Sequence, residues 1–141
     1  MYNNQNIPFH IAIPVHDIKT CLKFYVDNFD CEIGRQTETW VDLNFYGHQF
    51  VLHLDKNLKE QAINQVDGKA IPVPHYGVIL EWQAWENLVS KLNQNKINYI
   101  VEPYIRFKDK PGEQGTLFIK DPSGNALEFK TFKNFDQIFA K

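Results

Sequence analysis

The order of elements in this chain occurs twice, and that duplication narrows the possible folds more than any other feature. From His10 there is a short strand (HIAIPV), a helical stretch from Asp17 to Phe29, and three strands, CEIGRQ, TWVDLNFYG and HQFVLHLD. From His75 the order returns: a strand running to Trp82, a helix in QAWENLVSKLNQNK, and the strands INYIVEP, GTLFIKD and NALEFKTF. Asp17 suits an N-cap, and Ile18, Leu22, Tyr25, Val26 and Phe29 recur at helical spacing, as do Trp85, Leu88, Val89 and Leu92 in the second copy. Tyr46-Gly47 and the DPSG at 121–124 supply turns between strands. Half of a 141-residue chain buries little surface by itself. The expected fold is therefore a single α+β domain over residues 1–141, built from two βαβββ modules whose curved mixed sheets surround a cleft. Module one covers about 7–55, the linker about 56–73 and module two about 74–133. Within the linker, KNLKEQAINQ is expected to form a short helix and VDGKAIPVP an irregular connection.

Charge and composition exclude several kinds of partner. The net charge is −2 and the Lys and Arg residues are scattered, unlike the concentrated basic face of a nucleic-acid binder. No apolar run approaches a membrane span, and MYNNQN reads as a polar start rather than a signal peptide. The two cysteines, Cys21 and Cys31, are then expected to be reduced thiols without chemistry in a cytoplasmic protein.

Strand parity singles out a set of polar residues. Side chains alternate across a strand, so Phe9, Ile11, Ile13 and Val15 form the apolar set of the first strand and His10 lies opposite, beside Ala12 and Pro14. His75 shares its face with Gly77 and Ile79. On the last strand Leu127, Phe129 and Thr131 face one way, while Glu128 stands on the other face with Ala126, Lys130 and Phe132. Matching LHL at 52–54 to LEF at 127–129 makes His53 the counterpart of Glu128. His10, His75, Glu128 and His53 are thus candidates to converge on the non-core face. Two imidazoles and a carboxylate bind a divalent ion with positions left open for a substrate; hydrogen-bonded walls of a cleft are the structural alternative. His16, next to a helix cap, and His48, after a turn glycine, suit surface roles.

The paired βαβββ order, FHIAIPVHDIKTCLKFY, PHYGVILEW and DPSGNALEFK together resemble the vicinal oxygen chelate superfamily, over nearly the whole chain. That superfamily includes glyoxalase I, extradiol ring-cleaving dioxygenases and antibiotic resistance proteins. A narrower resemblance is to small bacterial extradiol dioxygenase-like proteins. The resemblance implies His10, His75 and Glu128 as ligands of Fe(II), with Zn, Ni or Mn as substitutes, a small-molecule substrate and a homodimer. It also implies an acid–base His before the fifth-strand ligand and a Tyr before the final Glu. This chain has no His between His53 and His75, and GTLFIKD has no Tyr, which leaves His53 and Tyr104 to fill such roles. Glyoxalases place a Glu where His53 stands.

Arg106, in YIRFKDKPGEQGT, either pairs with a substrate anion or makes a structural salt bridge. Trp40, Asp42, Asn44 and Tyr46 share one parity and are candidates to line the cleft. Three functions are compatible with the residues: ring-cleaving dioxygenase on a small aromatic diol, glyoxalase-like isomerase or lyase with His53 as base, and a drug-binding resistance protein.

Overall fold

The computed structural model describes residues 7–59 and 62–141, so the polar start MYNNQN lies outside the described residues. The first βαβββ module consists of β1 (His10–Val15), α1 (Ile18–Phe29), β2 (Glu32–Gln36), β3 (Trp40–Phe45) and β4 (His48–Leu54). A hairpin follows, β5 (Ala62–Val66) and β6 (Lys69–Val73). The second module contains β7 (His75–Tyr76), β8 (Ile79–Leu80), α2 (Trp82–Gln94), β9 (Tyr99–Arg106), β10 (Gln114–Lys120) and β11 (Ala126–Phe132), with a 3-10 turn at Phe135–Gln137. Strand order is β1-β4-β3-β2 in one sheet and β7-β11-β10-β9 in the other, with β8 also on β11. The duplicated α+β architecture read from the sequence is therefore present.

The described residues group into two compact units. Residues 7–59 and Ala62 with 120–125 form the amino-terminal unit, and residues 63–119 with 126–141 the carboxy-terminal one. In the amino-terminal unit α1 starts where the Asp17 carboxylate accepts from Thr20 N–H at 2.7 Å. Its core face is centred on Cys21, Tyr25 and Phe29, with Ile18, Leu22 and Val26 half-buried at the flanks. Tyr25, Phe29, Phe45 and Phe50 pack ring against ring at centroid distances of 5.0 to 6.3 Å, which ties the helix to β3 and β4.

The turn at 120–125 is held by polar contacts. Asp121 accepts from the buried Tyr25 hydroxyl at 2.8 Å and from Ser123 N–H, Asn125 N–H and the Asn125 amide, each at 2.9 Å. Asn125 Nδ2 also donates to Pro14 O at 2.8 Å. Ser123 Oγ accepts from His16 N–H at 2.9 Å and lies 2.6 Å from His16 Nδ1, giving His16 the surface role its position suggests. His48, the first residue of β4, accepts at Nδ1 from Phe9 N–H at 2.8 Å and so ties β4 to the residue before β1.

Four sequence expectations need correction. Phe9 is 64 % exposed rather than core, because it precedes β1 and only its backbone joins the sheet. The strand expected to run to Trp82 is two short pieces, and Trp82 already begins α2. KNLKEQAINQ is not a helix: 57–59 have no regular structure, Glu60 and Gln61 lie outside the described residues, and Ala62 opens β5. VDGKAIPVP is an ordered hairpin, not an irregular linker. Asp67 and Gly68 both take positive φ, 51° and 71°, as a two-residue turn between right-twisted strands requires. Among the described residues no helix is long and apolar enough to cross a membrane.

Two outcomes follow from this packing. Tyr25→Phe leaves the buried Asp121 carboxylate without one donor and should cost about 1–3 kcal/mol in urea unfolding. Burial pushes the Cys21 and Cys31 thiols up to about 11 and about 12. Both therefore stay protonated near neutral pH, and iodoacetamide should label them only after the chain is unfolded.

Candidate functional site

The carboxy-terminal unit brings two of the sequence candidates together. His75 on β7 and Glu128 on β11 belong to a parallel ladder that pairs Ala126 with His75 and Lys130 with Ile79. Continuing that register sets Gly77 opposite Glu128. A Cβ on Gly77 would sit 1.5 Å from Glu128 O, so glycine alone allows the two backbones to run this close. Across the pair, His75 Nε2 stands 3.1 Å from Glu128 Oε2. The remaining polar atoms of both side chains are anchored. His75 Nδ1 donates to Pro72 O at 2.8 Å, and Glu128 Oε1 accepts from Thr116 Oγ1 at 2.8 Å. A carbonyl only accepts, so Nδ1 carries a hydrogen, and a neutral ring turns the Nε2 lone pair toward the carboxylate. Two acceptors then face each other across 3.1 Å. That arrangement requires a positive charge, supplied by a proton on Nε2 or by a cation bound to both.

Apolar and polar side chains frame the pair. The Phe118 ring meets His75 edge-on at 5.0 Å, and Phe118 packs in a small core with Ile71 and Val101, against which Ile100 and Tyr104 lie. At the hairpin tip, Asp67 accepts from the Tyr104 hydroxyl at 3.1 Å and from Arg106 Nη2 at 3.3 Å, while Arg106 Nε lies 2.6 Å from the other Asp67 oxygen. The Nε contact is not aligned as a hydrogen bond, so it acts as a close ion pair. Burial, then the hydrogen bond and charge of Asp67, push the Tyr104 phenol up. Of the two readings of Arg106, the salt bridge is the one formed here.

The other two candidates lie in the amino-terminal unit. His10 is exposed on β1, its Nδ1 2.7 Å from Gln49 Oε1. His53 is exposed on β4, paired with Pro14 on one side and Trp40 on the other. Its register differs from the expected match to Glu128. If His10 is the counterpart of His75, Ala12 corresponds to Gly77, and the partner of Ala12 is Val51. A two-residue offset therefore separates His53 from the Glu128 position. Near Gln49 the same unit has a depression of about 480 Å³, lined among others by Glu32, Arg35, Asp42, Asn44 and His48. Among the described residues no three or more His, Cys, Asp or Glu side chains gather closely enough to hold a metal ion.

Residues 7–129 match the model of the Glyoxalase/Bleomycin resistance protein/Dioxygenase superfamily. The chain belongs to this superfamily. It is similar to a glyoxalase/bleomycin resistance protein/dioxygenase from Alicyclobacillus acidocaldarius, with 28 % identity over 99 % of this chain and 100 % of that one, at a TM-score of 0.82. The fosfomycin resistance protein FosX from Listeria monocytogenes shares the fold at a TM-score of 0.71 and 11 % identity, covering 94 % and 97 % of the two chains. An integron cassette protein from the Halifax Harbour sewage outfall metagenome matches at a TM-score of 0.67 and 21 % identity, over 89 % and 98 %. No curated protein is significantly similar in sequence.

Members of the vicinal oxygen chelate superfamily bind divalent metals, and the donors of the carboxy-terminal unit fit such an ion. The 3.1 Å between Nε2 and Oε2 can be closed by a cation held by both atoms or by a proton shared between them. Hydrogen bonds from the far side of each ligand, here Pro72 O and Thr116 Oγ1, are the usual supports of metal-bound imidazole and carboxylate. Thr116, Gly77 and Asp67 were not found by the sequence reading. Parity with His75 was the signal for Gly77 and the Asp-Gly dipeptide that for Asp67, whereas Thr116 is on β10 and no spacing within a strand relates it to Glu128. Gly77→Ala should break the β7–β11 approach, seen as a loss of several degrees in melting temperature together with shifted amide NMR signals around Glu128.

Proposed function

We propose that this vicinal oxygen chelate domain is a metal-dependent enzyme acting on a small molecule with two adjacent oxygens. The best-supported reaction is extradiol-type ring cleavage of a small aromatic diol, with Fe(II) as the metal. A single observation carries this reading: His75 Nε2 and Glu128 Oε2 stand 3.1 Å apart, each braced from behind, and a cation held by both atoms satisfies them as a shared proton would. With His10 as the third ligand, the set is two imidazoles and one carboxylate, the donor type of non-haem Fe(II) oxygenases; Zn, Ni or Mn are acceptable substitutes. The protein acts as a homodimer, as the family resemblance implies.

When bound, the ion supplies Lewis-acid stabilisation of charge on the two substrate oxygens. The chain's own residues do the rest. Thr116 and the Pro72 carbonyl hold the two ligands of the carboxy-terminal unit in orientation. The Phe118 edge keeps water from one side of His75. Tyr104, whose phenol is pushed up by burial and by Asp67, offers its hydroxyl, and Arg106 a positive charge, to an anionic substrate that displaces Asp67. His53, exposed on β4, is available to carry protons. In ring cleavage a carbon–carbon bond beside the diol breaks and both atoms of O₂ enter the product, so no further reductant is needed.

Anaerobic reconstitution with Fe(II), then addition of catechol and oxygen, should give oxygen uptake and a yellow ring-fission product. Metal binding without uptake, but with turnover of a hemithioacetal, would replace this reading by glyoxalase-like chemistry. No metal after reconstitution would leave a small-molecule binding protein. His75→Ala and Glu128→Ala should each lose most of the bound metal by elemental analysis while remaining folded, since the core does not need the ion. His10→Ala should match them; retention of metal in that variant would remove His10 from the ligand set. Light scattering should return the mass of two chains.

A further inference from the structure

We propose that Asp42 and Gln49 determine which ring nitrogen His10 offers to a ligand, through a hydrogen-bonded relay across three strands. His10 on β1 is paired directly with Gln49 on β4, and Gln49 lies diagonal to Asp42 on β3. The contacts are His10 Nδ1 to Gln49 Oε1 at 2.7 Å and Gln49 Nε2 to Asp42 Oδ2 at 3.3 Å. A carboxamide has one accepting and one donating end of nearly the same shape, so Gln49 alone would accommodate either tautomer of His10. Asp42 removes that ambiguity. An ionised carboxylate only accepts, which turns the amide NH₂ of Gln49 toward Asp42 and its oxygen toward His10. His10 Nδ1 must then carry the hydrogen, and Nε2 keeps its lone pair. Arg35 Nε, 3.8 Å from the same Asp42 oxygen, adds a positive charge beside the carboxylate, although its own side chain is 85 % exposed and contributes little.

His75 reaches the same tautomer by a different route, through the Pro72 carbonyl. That support is main chain and cannot be altered by a single side-chain substitution. The support of His10 consists entirely of side chains, which makes Asp42 and Gln49 positioning residues. The relay rests on the proposed metal role only for its consequence: His10 with a hydrogen on Nε2 cannot ligate through that atom. The tautomer is a property of the metal-free chain.

Long-range ¹H–¹⁵N NMR of the full, metal-free, ¹⁵N-labelled chain, at a pH where its imidazoles are neutral, reads the tautomer directly. Wild-type His10 should be predominantly the Nδ1–H form. Gln49→Leu and Asp42→Asn should each move His10 to a mixture with the Nε2–H form, leaving the His75 signals unchanged as an internal reference. Combining Gln49→Glu with Asp42→Asn should restore the Nδ1–H form. In that double variant the amide introduced on β3 donates to the carboxylate introduced on β4, and the carboxylate accepts from His10. Gln49→Leu should also weaken Fe(II) or Co(II) binding about tenfold. A wild-type His10 in the Nε2–H form, or an unchanged tautomer in Gln49→Leu, overturns the relay. A tautomer shift with unchanged metal affinity overturns its consequence for binding. Should the shift occur while the wild-type chain takes up no metal, the relay stands and the metal reading fails.

Discussion

In each module the first strand pairs with the last, in parallel, and the rest of the arrangement follows from that pairing. Parallel neighbours require a crossover, and α1 and α2 supply it. The pairing also decides which side chains become neighbours: His10 beside Gln49 in one unit, and Ala126 beside His75 in the other. At Gly77 the strands approach so closely that any side chain would enter the Glu128 carbonyl. The strand is broken there into two short pieces, yet the register across β11 is the same before and after the break. The strength of the constraint lies in backbone sterics, where a single methyl group has no room to adjust.

Two acidic residues in this chain illustrate how satisfaction of hydrogen bonds separates a structural group from a functional one. Asp121 is buried and surrounded by donors: a phenol, two backbone N–H groups and an amide. Every contact matches an acceptor with a donor, and the result is a fixed turn. Glu128 is half-buried and has one oxygen so matched, by Thr116, whereas the other faces an imidazole nitrogen that is itself an acceptor when the ring is neutral. A carboxylate held against a neutral imidazole nitrogen needs a positive charge between them, which a proton on Nε2 or a bound cation supplies. The same contrast separates His16, bonded through Ser123, from His75.

Most of the fold was legible because it depends on period and repetition. Alternation along β11 put Leu127, Phe129 and Thr131 in the core, where they are fully buried, and set Glu128 and Lys130 on a half-buried face; Ala126 and Phe132, of that same parity, are nevertheless buried. The hairpin was missed for a local reason. Asp67-Gly68 between AINQV and KAIPV is a two-residue turn signal, which the nearby Pro residues, as breakers, and the charged KNLKEQ, as a helix start, obscure in the sequence. His53 was misaligned with Glu128 because similar tripeptides, LHL and LEF, outweighed the strand pairing that fixes register. Phe9 was placed in the core by parity alone, although parity has no force one residue before a strand begins.

The sequence by itself determined the duplicated order of elements and the helix faces, and it marked His10, His53, His75 and Glu128 as polar residues off the apolar faces of their strands. All of these depend on residue type and on spacing within one element, which a linear chain carries openly. Only the tertiary structure decided that Nε2 of His75 faces Glu128 while Pro72 and Thr116 hold the opposite sides, that Asp67 occupies Tyr104 and Arg106, and that Asp42 orients Gln49. Those facts depend on strand register and on which atom of a side chain meets which neighbour. Residues far apart in the sequence come into hydrogen-bonding distance only when the strands are aligned, and a shift of two residues would give each of them a different partner.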